Sequence, residues 1–367
     1  MSWVLAFVGF AALIVLHEFG HFAAAKAVGM RVERFALFFP PLLFKVRRGE
    51  TEYGIGAIPL GGYVKITGMN PNEEVPPEHL ERAYYKQKVW KRVVVISAGP
   101  AMNFLIAFLL LWAIFWSNGF TDVTRQVDKV TAGSPAAQVL KPGETIVAVD
   151  GKSGSNEILT KQIGSHVCAG RPMNGCLAST PAILTVRSVV RGDDGGLRTV
   201  TRKVEATPKY DAGLKRTLLG FQFAQRTVPI GPFDAADRSV TAMGDVASKT
   251  VTSIGKLFYD AEARKEVSGV VGSYEATRQS FDFSTTRALF VLAIISLSLA
   301  VVNLFPFLPL DGGHIFWALA EKVRGRPISY RVMERASVVG FALVVFLFAI
   351  GLSNDIGRLN GEGFGVR

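Results

Sequence analysis

Two histidines four residues apart, with a glutamate directly after the first, stand in the stretch VLHEFGHFAAAKAVG that begins at Val15. On a helix, His17 and His21 project from one face about a turn apart. That spacing suits two ligands of a single tetrahedral zinc ion, with Glu18 beside them as general base, which is the equipment of metal-assisted hydrolysis. No charged residue precedes Glu18, and the flanking sequence is apolar. Ionisable groups at membrane depth are expensive without a partner, so three within five residues need a common one. Neither a chance motif nor a polar helix-packing cluster supplies it. A bound metal does.

A zinc ion held by two histidines needs a third protein ligand and an open position for water. A candidate must lie at matching depth in the membrane. His17 stands nine residues before Lys26, and Asp311, in NLFPFLPLDGGHIFW, stands eleven residues before Lys322. Asp311 is the only acidic residue between Arg287 and Glu321. His314, three residues on, is the rival ligand, and Asp311 is preferred to it.

The elements that must position these groups are visible as charge-free runs. Met1 to Leu16 carries no charge and continues as apolar helix to about Ala25; Val93–Trp116, Ala288–Leu310 and Ala336–Asn354 give further uncharged runs of 24, 23 and 19 residues. A bilayer core of roughly 30 Å needs about 20 apolar residues in a helix. Four transmembrane helices are therefore expected, at about 2–25, 93–116, 288–310 and 336–354. The first is not expected to be a cleaved signal peptide, because no Lys or Arg precedes Lys26 and no small-residue cleavage site follows on schedule. The chain is 49% hydrophobic with a net charge of +11, and its mean hydropathy is +0.29. Twelve Lys and Arg lie between Lys26 and Arg92, and five between Lys322 and Arg335. The positive-inside rule puts these short segments in the cytoplasm, with residues 117–287 and both termini outside. Most of the basic excess is thus topological, and no patch is left for nucleic acid.

The expected organisation is an N-terminal membrane part (1–116), an outer β-rich domain (121–225), a juxtamembrane amphipathic segment (233–285), a C-terminal membrane part (286–354) and a tail (355–367). Within the first part, TEYGIGAIPLGGYVKITGM at 51–69 alternates apolar residues around Gly61 and Gly62 and reads as a hairpin. A protease working on a helix in lipid must supply hydrogen-bond partners to the unwound substrate backbone, and an edge strand can do so by β-addition. Gly61, Gly62 and Tyr63 are the substrate-binding candidates there; an ordinary cytoplasmic hairpin is the plainer reading. Pro306 and Pro309 break the third helix just before Asp311. From Arg238 to about Tyr259 apolar residues recur at three- to five-residue steps, which suits a helix lying on the outer leaflet or packed on the outer domain. Cys168 and Cys176, with seven residues between them in VCAGRPMNGC, are expected to form a disulfide in an oxidising compartment.

HEFGH in the first membrane helix, SAGPAMN opening the second and NLFPFLPLDGG in the third resemble the site-2 protease family of intramembrane zinc metalloproteases, in its bacterial RseP-like branch that cleaves anti-sigma factors. The resemblance runs in order over nearly the whole chain. It implies that Asp311 is the third zinc ligand, that Glu18 activates water, that Asn303 and Pro306 help seat the substrate strand, and that Asn103 lines the site. It also implies a membrane-embedded hairpin at 51–69. The stretch VDKVTAGSPAAQVLKPGETIVAVDGK resembles the start of a circularly permuted PDZ domain. LLGFQF, with Leu219, Gly220 and Phe221, resembles the groove strand that captures a peptide terminus, or is simply the closing strand of the sheet. Members of that branch resemble a tandem PDZ pair, whereas this chain has room for one. VSGVVGSY, from Val267, resembles a loop found before the third helix in the family. The expected function is an intramembrane zinc endopeptidase in a bacterial cytoplasmic membrane. Its substrates would be single-span proteins, anti-sigma factors after a first cleavage. The alternative is a non-proteolytic adaptor with a structural zinc site and a PDZ recruitment module. Glu18, which binds no metal, and the open fourth position count against the adaptor. Ionisable groups gathered at one depth count against a transporter.

Overall fold

The computed structural model describes residues 1–70, 73–191, 195–326 and 328–361. They divide into two compact units, Met1–Ser117 with Gly231–Arg367, and Asn118–Ile230.

Among the described residues, four helices are long and apolar enough to cross a membrane: α1 (Ser2–Ala27), α2 (Val89–Asn118), α7 (Thr285–Asn303) and α9 (Tyr330–Asn360). Their apolar side chains face outward in numbers that would be ruinous in water, among them Trp3, Phe7, Leu105, Phe341, Phe346 and Phe348. Lipid is the solvent that tolerates such a surface. The third span is shorter than the uncharged run suggests. α7 stops at Asn303, residues 304–310 are non-helical, and a separate helix, α8 (Asp311–Arg324), begins at the aspartate. Pro306 and Pro309 account for the break, since each lacks an N–H and disfavours helix in the residue before it. The fourth span is longer than the charge-free run: α9 continues through Asp355, and the end of the expected tail, 362–367, lies outside the described residues.

The hairpin also departs from expectation. Its strands are β1 (Val32–Arg48) and β2 (Thr51–Ile66), with Gly49, in the left-handed region at φ +59°, in the turn between them. Gly61 and Gly62 lie inside β2 and make no hairpin turn. Residues 32–37 sit between two parts of β2: Phe35 is opposite Val64 on one side and Tyr53 on the other, and Leu37 opposite Gly62 and Ile55. Val46 also pairs with Tyr53. The apolar stretch VERFAL therefore takes the central place, and 51–56 never meets 62–66. Among the described residues, 62–66 pairs only with 32–37, so one of its edges carries no strand.

The juxtamembrane segment forms three helices, α4 (Pro232–Lys256), α5 (Ala261–Glu266) and α6 (Val270–Phe283). α4 is amphipathic, buries Ala235 and Ser239, and leaves Phe233, Val240 and Val251 exposed. α6 begins in the VSGVVG stretch. Its first turn has no cap from its own chain neighbours; instead the buried carboxylate of Asp355 accepts from Gly269 N (3.1 Å) and Gly272 N (2.7 Å). Orphan N–H groups and the positive end of the helix dipole both favour an anion there. α6 then reaches the start of α1, where Tyr274 donates to the Trp3 carbonyl at 2.8 Å and Arg278 lies 4.6 Å over the Trp3 ring.

The second unit is β-rich. Its main sheet has the order β10 (Phe221–Val228), β3 (Phe120–Val130), β4 (Thr145–Val149), β6 (Ala182–Arg191), β7 (Leu197–Ala206), with β5 (Lys152–Ser153) paired to β4. β8 (Lys209–Asp211) and β9 (Arg216–Leu218) form a small ribbon, and α3 (Asn156–Gly164) is capped by Ser155, which accepts from Ile158 N. The core gathers Val127, Ile146, Val149, Leu159, Leu184, Val186 and Leu219, each at most 2% exposed. At about 1.5–3 kcal/mol per buried aliphatic side chain, these residues hold the sheet to α3. Cys168 and Cys176 are joined by a disulfide in the loop between α3 and β6, with Cα atoms 6.2 Å apart.

Candidate active site

α1 and α2 cross where both lack side chains. A Cβ on Gly20 would strike the Ala98 carbonyl, and one on Gly99 would strike the His21 ring. This close approach lets His21 Nδ1 reach the Val95 carbonyl of α2 at 2.9 Å. A carbonyl only accepts, so Nδ1 carries the proton, and Nε2 of the neutral ring presents a lone pair.

That lone pair points at two other acceptors. His21 Nε2 lies 3.3 Å from His17 Nε2 and 3.4 Å from Asp311 Oδ2, and His17 Nε2 lies 3.4 Å from the same oxygen. Such a triangle repels itself unless a cation sits among its corners. Nitrogen and oxygen ligands of a tetrahedral zinc at about 2.0–2.1 Å stand ~3.3 Å from one another. The observed edges match that spacing. Asp311 Oδ2 is buried and lacks a hydrogen-bond donor among the described residues. The three atoms therefore fit zinc. Among the described residues this is the one cluster of three or more His, Cys, Asp or Glu side chains close enough to share an ion.

The other expected residues divide around this triangle. Glu18 packs its side chain over the backbone of Gly62, where a Cβ would collide with Glu18 Cγ. Gly62 thus touches the proposed base from within β2. Tyr63 packs against Phe39 with its ring tilted and the centroids 5.6 Å apart, and lines a cleft of about 620 Å³ with Val64, Lys65, Ile66 and Met69 of the same chain segment. His314 opens into that cleft and stands outside the metal triangle. Asn103 is 1% exposed, one turn beyond Gly99 on α2; its backbone carbonyl accepts from Ser296, and its Oδ1 has no donor among the described residues. Asn303 is the last residue of α7 and Pro306 is exposed in the loop that leads to Asp311. Gly61 sits half-buried beside Phe39.

In the β-rich unit the three groove candidates stand at the start of β10 and just before it. Leu219 is a core residue, Phe221 packs against that core, and Gly220, at φ +80°, has no room for a side chain beside Ser134. A groove of about 720 Å³ in this unit is lined by Phe223, Val123, Glu157, Thr160, Lys161 and Arg216. Sequence reasoning also passed over Val95, whose carbonyl fixes the tautomer of His21, and over Gly99. The helical spacing of SAGPAMN, with two small residues before a proline, was the available signal for Gly99; a backbone carbonyl leaves none.

The sequence profile of peptidase family M50 matches residues 5–347. The chain is 29% identical to the regulator of sigma-E protease RseP of Salmonella typhimurium, covering 97% of this chain and 99% of that protein. It is 31% identical to the zinc metalloprotease Rip1 of Mycobacterium tuberculosis, covering 94% of each.

Proposed function

Given that this chain belongs to peptidase family M50 and is an integral membrane zinc metalloprotease, we propose that it cleaves peptide bonds inside the membrane-spanning segments of single-span proteins. Anti-sigma factors already shortened by another protease are the substrate class this reading favours. The observation that carries it is the His17, His21 and Asp311 triangle with Glu18 alongside.

His17, His21 and Asp311 would hold zinc, which would supply Lewis acidity toward the scissile carbonyl and toward water. Glu18 takes the proton of the attacking water and returns it to the leaving amine. Residues 62–66 offer their open edge to an unwound substrate, which gains main-chain hydrogen bonds in place of those its helix lost. Because Gly62 has no side chain, the face of this strand lies directly against Glu18. Asn103, whose buried amide oxygen has no donor among the described residues, lines the site in this reading, and Asn303 and Pro306 shape the approach to Asp311.

In the same reading, the basic segments 26–92 and 322–335 face the cytoplasm of a bacterial inner membrane, and the unit at 118–230 is an extracytoplasmic PDZ domain. It limits access by size. Its groove, with Lys161 and Arg216 among the lining residues, suits the carboxylate of a trimmed substrate. α4 lies on the outer leaflet through its apolar face. The test is turnover of a labelled membrane-spanning substrate by purified protein, with and without a zinc chelator. Cleavage that survives both chelation and Glu18→Gln would refute the reading.

A further inference from the structure

α8 carries Asp311 as its first residue, and few of its side chains are buried. Only Gly312, Gly313 and Ala318 of α8 are buried, whereas Phe316, Leu319 and Val323 are exposed. At its start, Gly312 and Gly313 lie against the backbone of Leu304, Phe305, Phe307 and Leu308. That contact joins Asp311 to its own loop and to nothing that carries the histidines. Ile315 packs against the apolar cluster that holds Ala25 of α1 with Val95 and Ile96 of α2, a non-directional contact.

The far end of α8 is fastened differently. Glu321 receives two hydrogen bonds from Arg92, Nη1 to Oε2 at 3.0 Å and Nη2 to Oε1 at 2.8 Å. The side chains are 11% and 26% exposed, and the Arg92 guanidinium lies 6.0 Å from the ring of Tyr84, itself buried. A two-pronged pair of this kind fixes direction as well as distance, which a single ammonium cannot do. Ten helical residues, about 15 Å, separate Glu321 from Asp311. A rotation of α8 that broke the pair would carry the carboxylate away from the histidines. Arg92 also begins the stretch of α2 that continues through Val95, acceptor for His21, and Gly99, which gives the His21 ring its space. About two turns of α2 thus support ligands from two different helices.

We propose that Arg92 and Glu321 are positioning residues for the metal centre, holding α8 so that Asp311 meets His17 and His21. The inference rests on Asp311 being a zinc ligand. Full-length protein in detergent, carrying Glu18→Gln so that binding is read without turnover, is titrated with zinc against a chelator of known affinity. Arg92→Lys and Glu321→Gln should each weaken zinc binding about 10-fold, as loss of groups that orient a ligand does. The exchange R92E with E321R should recover most of that loss. Arg92→Lys keeps the cation and so guards against a fold that collapses for lack of charge. Unchanged zinc affinity in the two single variants, whatever their melting temperature, overturns the proposal, as does an exchange that recovers nothing. Asp311→Ala separates the two levels: if it binds zinc like the parent, the ligand assignment itself is wrong and the proposal falls for that reason.

Discussion

Gly99→Ala should empty the zinc site without unfolding the protein. An added Cβ would lie 2.8 Å from His21 Cδ2 and nearer still to two other ring atoms, where ordinary contacts begin at 3.4 Å. From Cδ2 alone, the ring must retreat by at least about 0.6 Å (3.4 − 2.8). Metal–ligand distances tolerate about 0.2 Å, so the displacement is roughly three times what zinc accepts. The ring cannot escape by turning, because Nδ1 is tied to Val95 and Nε2 must stay 3.3 Å from His17. Zinc affinity should fall at least about 100-fold, the upper range for loss of a supporting contact, or about 2.7 kcal/mol. Metal analysis and chelator competition on purified protein measure it, with a thermal melt to establish folding. Gly244→Ala on α4, where a Cβ meets nothing within 4 Å, is the control. It should keep its zinc and gain up to ~1 kcal/mol of stability. Parent-like zinc binding by folded Gly99→Ala would refute the argument that this crossing has no spare room.

Glu18→Gln should bind zinc normally and lose all cleavage, since it removes the base and keeps the ligands; measurable turnover in a variant of verified sequence would contradict the assigned role. Asp311→Ala should lose zinc while His314→Ala retains it, and metal content read the other way round would exchange their roles. Excising Phe120–Val228, whose ends are adjacent through the Phe120 and Val228 pairing, should spare cleavage of trimmed substrate and admit untrimmed forms. A folded, zinc-loaded deletion that cuts neither would end the gating idea. Glu50, in the β1–β2 turn, is held at a pKa of about 2 against its ordinary 4.5, chiefly by hydrogen bonds from Arg82 and then from Lys26. A depressed carboxyl stabilises the fold above its unfolded pKa, and that contribution is lost as pH falls. Between pH 4.5 and 2 the melting temperature should therefore drop more steeply in the parent than in Glu50→Gln, and parallel curves would show that the turn contributes nothing.

The metal site was legible because its chemistry is costly: only a shared ion makes sense of His17, Glu18, His21 and Asp311 in apolar surroundings. The spans were legible for the same reason, as absence of charge over a fixed length. What escaped is what pairing partners decide. Nothing local in VERFALFF announces a central strand, and Gly61 and Gly62 look like turn residues until 32–37 occupies the place their hairpin would need. The third span appeared too long because charge-free sequence does not distinguish helix from the proline-broken loop at 304–310. Leu219 reads as a groove residue or as part of a closing strand because a strand facing a peptide and a strand closing a core share one apolar pattern; in the fold its side chain joins the core with Leu184. Arg92 and Glu321, 229 residues apart, carry no signal of their pairing at all.

The cap on α6 sets an order for biosynthesis. Gly269 and Gly272 leave the ribosome more than eighty residues before Asp355, the side chain that satisfies them. Until α9 has been inserted, the first turn of α6 has no anion, and a short helix with an open N-terminus is marginal on its own. The nascent protein can therefore place α1, α2 and α7 in the bilayer while the helix that touches the start of α1 is still fraying. Closure of the fold waits for its final span. A chain released early, after Ser353, would contain every zinc ligand and the general base, yet lack the carboxylate that orders a helix far upstream. Incomplete copies of this protease are thus held apart from complete ones by a single late aspartate.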